Sequence, residues 1–405
     1  MTIEATDARS IPLFPFPADS PGGAQAEYVR RRAACPFGTV HTPAGHDAVL
    51  LVRGEDVEAA LADTRLAHNL TAPGSPRIHL ASSFRQDPRL MTNMDGAQHL
   101  RLRRIVAPSF TPRNVSRWEP AINAIAEELC DAMIEAGPPA DITTAYCFAL
   151  PVRIICELLG VPRTDADRFR QWSGAFLSVV PMTPAERAEQ VEEFTAYVTG
   201  LVAARRRDPG DALIDSLIAA RDGDDRLTEP ELVMMVLGLI AVGNEATSNS
   251  LARALRTLLR GQRELWTSLI ADPGRLPAAV EELLRHSPPG GMFAMRQARE
   301  TVDFPSGTLH AGQGVIIASE SALRDPDVYP DPDSVRFDRP RRPQLVFGGG
   351  PHYCLGAHLA KAELASGIGC LLRRMPGLHL EIAYEAVRFS NGDILSSPLA
   401  LPVSW

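Results

Sequence analysis

Apolar residues recur at three- and four-residue spacings in HLRLRRIVAPSF (99–110), EPAINAIAEELCDAMIEAG (119–137) and LPVRIICELLGV (150–161). That period predicts helices, each with one face turned to the core. Several more helices are expected between about 165 and 262. The longest is EPELVMMVLGLIAVGNEATSNSLARALRTLLRG (229–261), whose centre is apolar nearly all round. A helix of that kind is buried through a large core. PAAVEELLRH (277–286) and LGAHLAKAELASGIGCLLRRM (355–375) complete the helical set. Strand signals are short: HDAVLLVRG (46–54) reads as a strand and turn before a short helix at 57–63, and TVDFPSGTLHAGQGVIIAS (301–319) contains more. Residues 1–45 are rich in proline and glycine and are expected to be irregular. Residues 68–98 lack periodicity, and a loop of that length in a compact domain is often functional. Residues 324–343 hold too much proline and aspartate for regular structure. The class is mainly α with small β-sheets, and no linker or repeat divides residues 1–405 from a single domain.

Charge and cysteine usage narrow the role. The net charge of −8 argues against nucleic-acid binding, which needs a basic footprint. The six cysteines (35, 130, 147, 156, 354, 370) are scattered, with no CxxC pair. No secretory h-region precedes them, so they imply no disulfide framework. A monomeric cytoplasmic protein with no membrane segment is expected.

The chemistry gathers at FGGGPHYCLGAH (347–358). Alone, Cys354 reads as a small buried hydrophobe in a glycine-rich turn. Yet a cysteine just ahead of a helix is favoured as thiolate by the dipole and the free amides. Glycines let a backbone pass flat against a planar ligand. A thiolate in such a loop can bind iron axially and push electron density toward O–O cleavage. A zinc site of His352, Cys354 and His358 fits known ligand spacings poorly.

The run Phe347, Gly348, Gly350, His352, Cys354, Gly356 closely resembles the haem-binding signature of the cytochrome P-450 superfamily, soluble actinobacterial type. Two further matches stand in the right order. Glu282 and Arg285 in VEELLRH resemble the family's E-x-x-R motif, and their spacing puts them on one helix face. His99 and Arg103 in HLRLRR resemble the helix that contacts the haem propionates, and Arg296 falls where the family has a propionate-binding arginine. The resemblance implies the triangular haem-thiolate fold and haem b (iron protoporphyrin IX), with Cys354 as the metal ligand. It places Phe347, Gly348 and Gly356 around the haem. It gives His99, Arg103, Arg296 and His352 to the propionates, and makes Glu282 and Arg285 structural, tied to Arg339 or Arg341 of the following meander. Gln344 stands where a propionate-binding histidine is common, so that contact is expected to be weakened.

The long helix departs from the family. The usual acid and threonine read Asn244, Glu245, Ala246, Thr247. Glu245 is the acid; Ala246 occupies the threonine's place. Thr247 comes one residue late, about 100° round the helix. Gly243 is expected to open a groove for oxygen. Catalytic candidates are therefore Glu245, Ala246, Thr247 and Asn244. The resemblance implies O₂-dependent monooxygenation of a natural-product intermediate, with electrons from a separate ferredoxin and ferredoxin reductase. Arg101, Arg104, Arg341, Arg342 and Lys361 are candidates for the basic ferredoxin-docking face. Substrate-pocket candidates are the 68–92 loop, residues 170–195, Asn244, Pro289–Phe293 and Asn391–Leu395. Oxidative coupling without oxygen insertion, a peroxide-driven reaction and a non-catalytic haem protein are the alternatives.

Overall fold

The computed structural model describes residues 11–405 apart from 17–25, 71–74, 79–86, 166–167, 170, 173–174, 176–181, 223–226, 291–292 and 391–395. Parts of the pocket candidates 68–92, 170–195 and Pro289–Phe293, and all of Asn391–Leu395, lie outside the described residues. The architecture is mainly helical with small sheets, as the sequence pattern predicts.

Among the described residues there are ten short strands: β1 (Phe37–His41), β2 (Asp47–Leu51), β3 (Leu66–Ala67), β4 (Ala140–Asp141), β5 (Ala294–Ala298), β6 (Val302–Phe304), β7 (Gly307–Leu309), β8 (Gly314–Ile317), β9 (His379–Leu380) and β10 (Pro402–Ser404). The largest sheet runs β1-β2-β8-β5-β3. β8 lies parallel to β2, pairing Val315 with Val49, and antiparallel to β5, pairing Val315 with Arg296. That pairing sets Arg296 in the sheet's interior strand. The described part of residues 1–45 is less irregular than expected. A helix spans Ala26–Ala34 and β1 follows it. The helix AEYVRRRAA hides its period because only Tyr28 and Arg31 are buried and its remaining face is charged. Glu27 pairs with Arg30 and with Arg31. Phe14, Phe16, Tyr28 and Phe293 seal this region edge to face, with ring centroids 5.0–5.6 Å apart.

The helix Glu229–Leu258 begins at a capping box between Thr228 and Glu231. Its composition and length would suffice to cross a bilayer, but most of its apolar stretch is buried inside the protein. It is a core helix, packed against Ala149–Leu159, Pro184–Arg207 and Ala357–Arg374. The helix Ala357–Arg374 also lies along Pro112–Ala136. Its close approach to Ala149–Leu159 depends on Gly367: a Cβ would stand 2.8 Å from Leu150 Cδ2. Tyr146 fixes the same turn, its hydroxyl donating to the Gly367 carbonyl at 2.9 Å. The two helices that bear the candidate chemistry are thus wedged together in the core.

Candidate functional site

The long helix carries an open stripe where a core helix should have none. Asn244 and Thr247 are buried, yet Gly238, Leu239, Val242, Gly243, Glu245 and Ala246 keep accessible surface. Val242 is 46% exposed, although it lies midway along the buried helix. Positions 239, 242, 243 and 246 share one face by helical pitch. Glu245 and Ala246 keep surface on or beside that stripe. Asn244 and Thr247, the other two candidates on this helix, are buried. At 100° per residue Asn244 turns away from that stripe, while Thr247 stands at its edge beside Gly243. The Thr247 hydroxyl donates to the Gly243 carbonyl at 3.3 Å. Ser248 Oγ donates to the Asn244 carbonyl and to its Oδ1, at 2.9 and 3.1 Å.

The cysteine loop has matching features. Cys354 precedes the helix Ala357–Arg374, and its amide donates to the Phe347 carbonyl at 2.8 Å, folding the loop back on itself. Gly348 has φ +74° and Gly350 φ +60°, which favour glycine. A Cβ on Gly350 would also stand 2.9 Å from Ala62 Cα. Gly356 meets no such restriction; its Cβ would enter open space. The Cys354 sulfur keeps accessible surface while protein crowds around it. Desolvation pushes the thiol up, opposed by the Gly356 amide and the Arg103 guanidinium, which favour the thiolate. A bound metal would deprotonate it outright.

Beside this loop lies a cluster of donors. His352 stacks between His68 and His99, with ring centroids 3.3 and 3.9 Å away. Arg103 donates to the Tyr353 carbonyl at 2.5 Å, and Arg296 to its neighbour's carbonyl at 2.7 Å. Burial holds Arg296 down to about 10. Desolvation, helped by His68, His99 and Arg296, pushes His352 down to about 2, so the ring is neutral. Arg296, His352 and Gly348 line one small cavity with Leu61, Phe293 and Leu345. The structure thus brings His99, Arg103, Arg296 and His352 together. It also brings His68 and Asp95 to them; the sequence marked their loop, 68–98, but neither side chain. They lie 27 residues apart, and no local pattern links them.

Behind the loop, Glu282 accepts from Arg285 Nε and Nη2 at 2.7 and 2.8 Å. It also accepts from Arg339 Nε at 2.9 Å. Of the two meander arginines, the structure selects Arg339; Arg341 is exposed. Gln344 is used elsewhere, donating to the Glu281 carbonyl at 3.0 Å. His358 is exposed on its helix, and the grouped ligand-type side chains among the described residues are His68, Asp95 and His352 rather than a zinc set with Cys354. The basic face is smaller than expected. Arg101 pairs with Glu231, and Lys361 with Glu281 at 2.7 Å, leaving Arg104, Arg341 and Arg342 exposed.

An accessible thiol on a glycine-bent loop, an open stripe on a core helix and a buried set of cationic and imidazole donors fit a flat, dianionic ring carrying iron. The family profile described as cytochrome P450 matches residues 271–376. The chain is 40% identical over 379 residues to mycinamicin IV hydroxylase/epoxidase of Micromonospora griseorubida, covering 91% of this chain and 92% of that one. It is 39% identical over 403 residues to nocardicin C N-oxygenase of Nocardia uniformis subsp. tsuyamanensis, covering 99% of both. Among solved structures, the LnmA cytochrome P450 hydroxylase from the leinamycin pathway of Streptomyces atroolivaceus matches with TM-score 0.90 and 35% identity, over 98% of this chain and 100% of that one. The chain belongs to the cytochrome P450 family. It is an oxidoreductase of the haem-iron monooxygenase class.

Proposed function

We propose that this protein is an O₂-dependent monooxygenase that tailors a natural-product intermediate, holding haem b through the Cys354 thiolate and drawing electrons from a separate ferredoxin and its reductase. The observation that carries the reading is the accessible Cys354 sulfur on a loop whose glycines leave room for a flat ring. When bound, the haem supplies the oxidising chemistry, splitting dioxygen so that one atom enters the substrate and the other leaves as water.

The chain's own residues do the rest. Cys354 gives a soft anionic ligand. His99, Arg103, Arg296 and His352 hold the two carboxylates through hydrogen bonds, charge-assisted where arginine donates. Glu245, beside the accessible stripe of the long helix, holds and passes protons. Its neighbour Ala246 offers no hydroxyl, and Thr247 spends its own on the Gly243 carbonyl. A hydroxyl of the substrate itself completes the relay, so catalysis is substrate-assisted. Exposed Arg104, Arg341 and Arg342 provide the docking face for an acidic ferredoxin. The relatives' names, a hydroxylase/epoxidase and an N-oxygenase, favour oxygen insertion over coupling.

Turnover with isotope-labelled dioxygen, NADPH and surrogate ferredoxin partners tests the reading. Natural products that shift the haem spin state, mycinamicin IV and nocardicin C among those tried, serve as substrates. One labelled oxygen in the product supports it. A product formed without label, or by joining two substrate units, overturns it.

A further inference from the structure

His68 has no part in the roles above, yet its surroundings are specific. Asp95 stands at the N-cap of the helix Gly96–Val106, where an aspartate ordinarily accepts from that helix's first amides. It makes no such bond. Its carboxylate turns back instead. The amides of His68 and Asn69 donate to Oδ2 at 3.0 and 3.2 Å, and Arg299 Nη2 donates at 2.7 Å. His68 Nδ1 lies 3.2 Å from Oδ1. Burial works to raise the Asp95 carboxyl, but the bonds from His68 and Asn69 hold it well below the usual carboxylate range. Asp95 is therefore an ionised acceptor, and Nδ1 is the protonated nitrogen of His68.

The other nitrogen, Nε2, is buried with no partner among the described residues. The side chain is only 11% exposed. Desolvation, with Arg296 and His99 nearby, pushes the ring down to about 4 in spite of Asp95. Across from it lie His352, His99 and Arg296. One carboxylate, already engaged by His68 and Arg299, thus serves a pocket of imidazoles and guanidiniums. A small cation held by His68, Asp95 and His352 would add to that excess of positive charge. An anion relieves it and gives the orphaned nitrogen a partner.

We propose that His68, oriented by Asp95, is an additional anchor for a carboxylate of the haem, with Nδ1–H on Asp95 and Nε2–H on that carboxylate. The inference rests on the haem reading given above. For Nε2 to donate, the ring takes one proton from solvent, and an imidazolium between two carboxylates is favoured by both. Haem binding by this chain is then coupled to uptake of a proton at a residue outside the signature motifs.

The test is haem loss from the holoenzyme to excess apomyoglobin, followed by absorbance. His68→Phe should lose haem about 10- to 100-fold faster than wild type, the loss of one charge-assisted hydrogen bond. His68→Gln, which restores a donor, should recover part of the difference. The same proteins are then loaded with the dimethyl ester of the haem, whose carboxylates are blocked. With the ester, wild type and His68→Phe should lose it at equal rates. Equal rates with natural haem overturn the inference, and so does a difference that persists with the ester, which would assign His68 a packing role. A wild type that retains no haem overturns the haem reading itself and is a separate outcome.

Discussion

Replacing Glu282 by glutamine removes one charge from a place that cannot tolerate its loss. The carboxylate is 4% exposed and Arg285 1% exposed. It accepts four hydrogen bonds: two from Arg285, one from Arg339, and one from the Arg336 amide at 2.9 Å. Arg285 in turn donates to the carbonyls of Leu323, Pro332 and Ser334, which fix the meander preceding the cysteine loop. Glutamine keeps the shape but leaves two buried guanidiniums without a counter-charge and turns an NH₂ toward one of them. Removing one partner of a buried pair costs about 3–5 kcal/mol, or roughly 10²- to 10⁴-fold in the folding equilibrium. Urea unfolding followed by fluorescence of the buried Trp266 and Trp172 measures it. The control is Asp338→Asn, which breaks the exposed pair Arg336–Asp338 and should leave the midpoint unmoved. If Glu282→Gln unfolds at the same urea concentration as Asp338→Asn, the triad is not the clamp described here.

Further outcomes follow from the same geometry. Thr247→Ala should keep product formation per NADPH within about twofold of wild type, whereas Glu245→Gln should slow turnover by about 10²-fold, the lower range for a lost proton-transfer group. Uncoupling by Thr247→Ala alone would overturn the substrate-assisted relay. Reduction by an acidic ferredoxin should slow as salt rises, because exposed charges are screened beyond about 8 Å at physiological ionic strength; Arg341→Glu with Arg342→Glu should flatten that dependence, and an unchanged salt profile would remove the docking face. His286 is held well below its ordinary value by desolvation, with Arg324 and Arg285 adding to it. The folded protein therefore binds fewer protons than the unfolded chain once pH falls below about 6.5. Its stability should decline there by up to about 1.4 kcal/mol per pH unit, and His286→Gln should lessen the slope; an identical acid limb in the variant would refute the assignment.

The cysteine loop, the helix pair Glu282 and Arg285, and the helices at 276–286 and 357–374 were legible because each is written in neighbouring residues: glycines at fixed offsets, a three-residue spacing, an apolar period. Arg339 could not be chosen over Arg341 from sequence, since the choice depends on the path of a proline-rich meander. The helix Ala26–Ala34 escaped notice because its face carries arginines and one tyrosine where an apolar stripe was sought. Helical pitch alone puts Asn244 on the face opposite Val242 and Ala246, and it is buried there. His68 and Asp95 were invisible because their relation is purely tertiary: a loop returns to the start of a helix 27 residues away.

The central claim is that Cys354 holds the haem iron as a thiolate, and the absorption spectrum of the reduced carbonyl complex tests it most directly. Wild type, Cys370→Ala and Cys156→Ala should all show the long-wavelength band that thiolate ligation gives, because Cys370 and Cys156 are buried in the helical core. Cys354→Ala should lose that band or bind little haem; a full thiolate-type spectrum in Cys354→Ala would contradict the account.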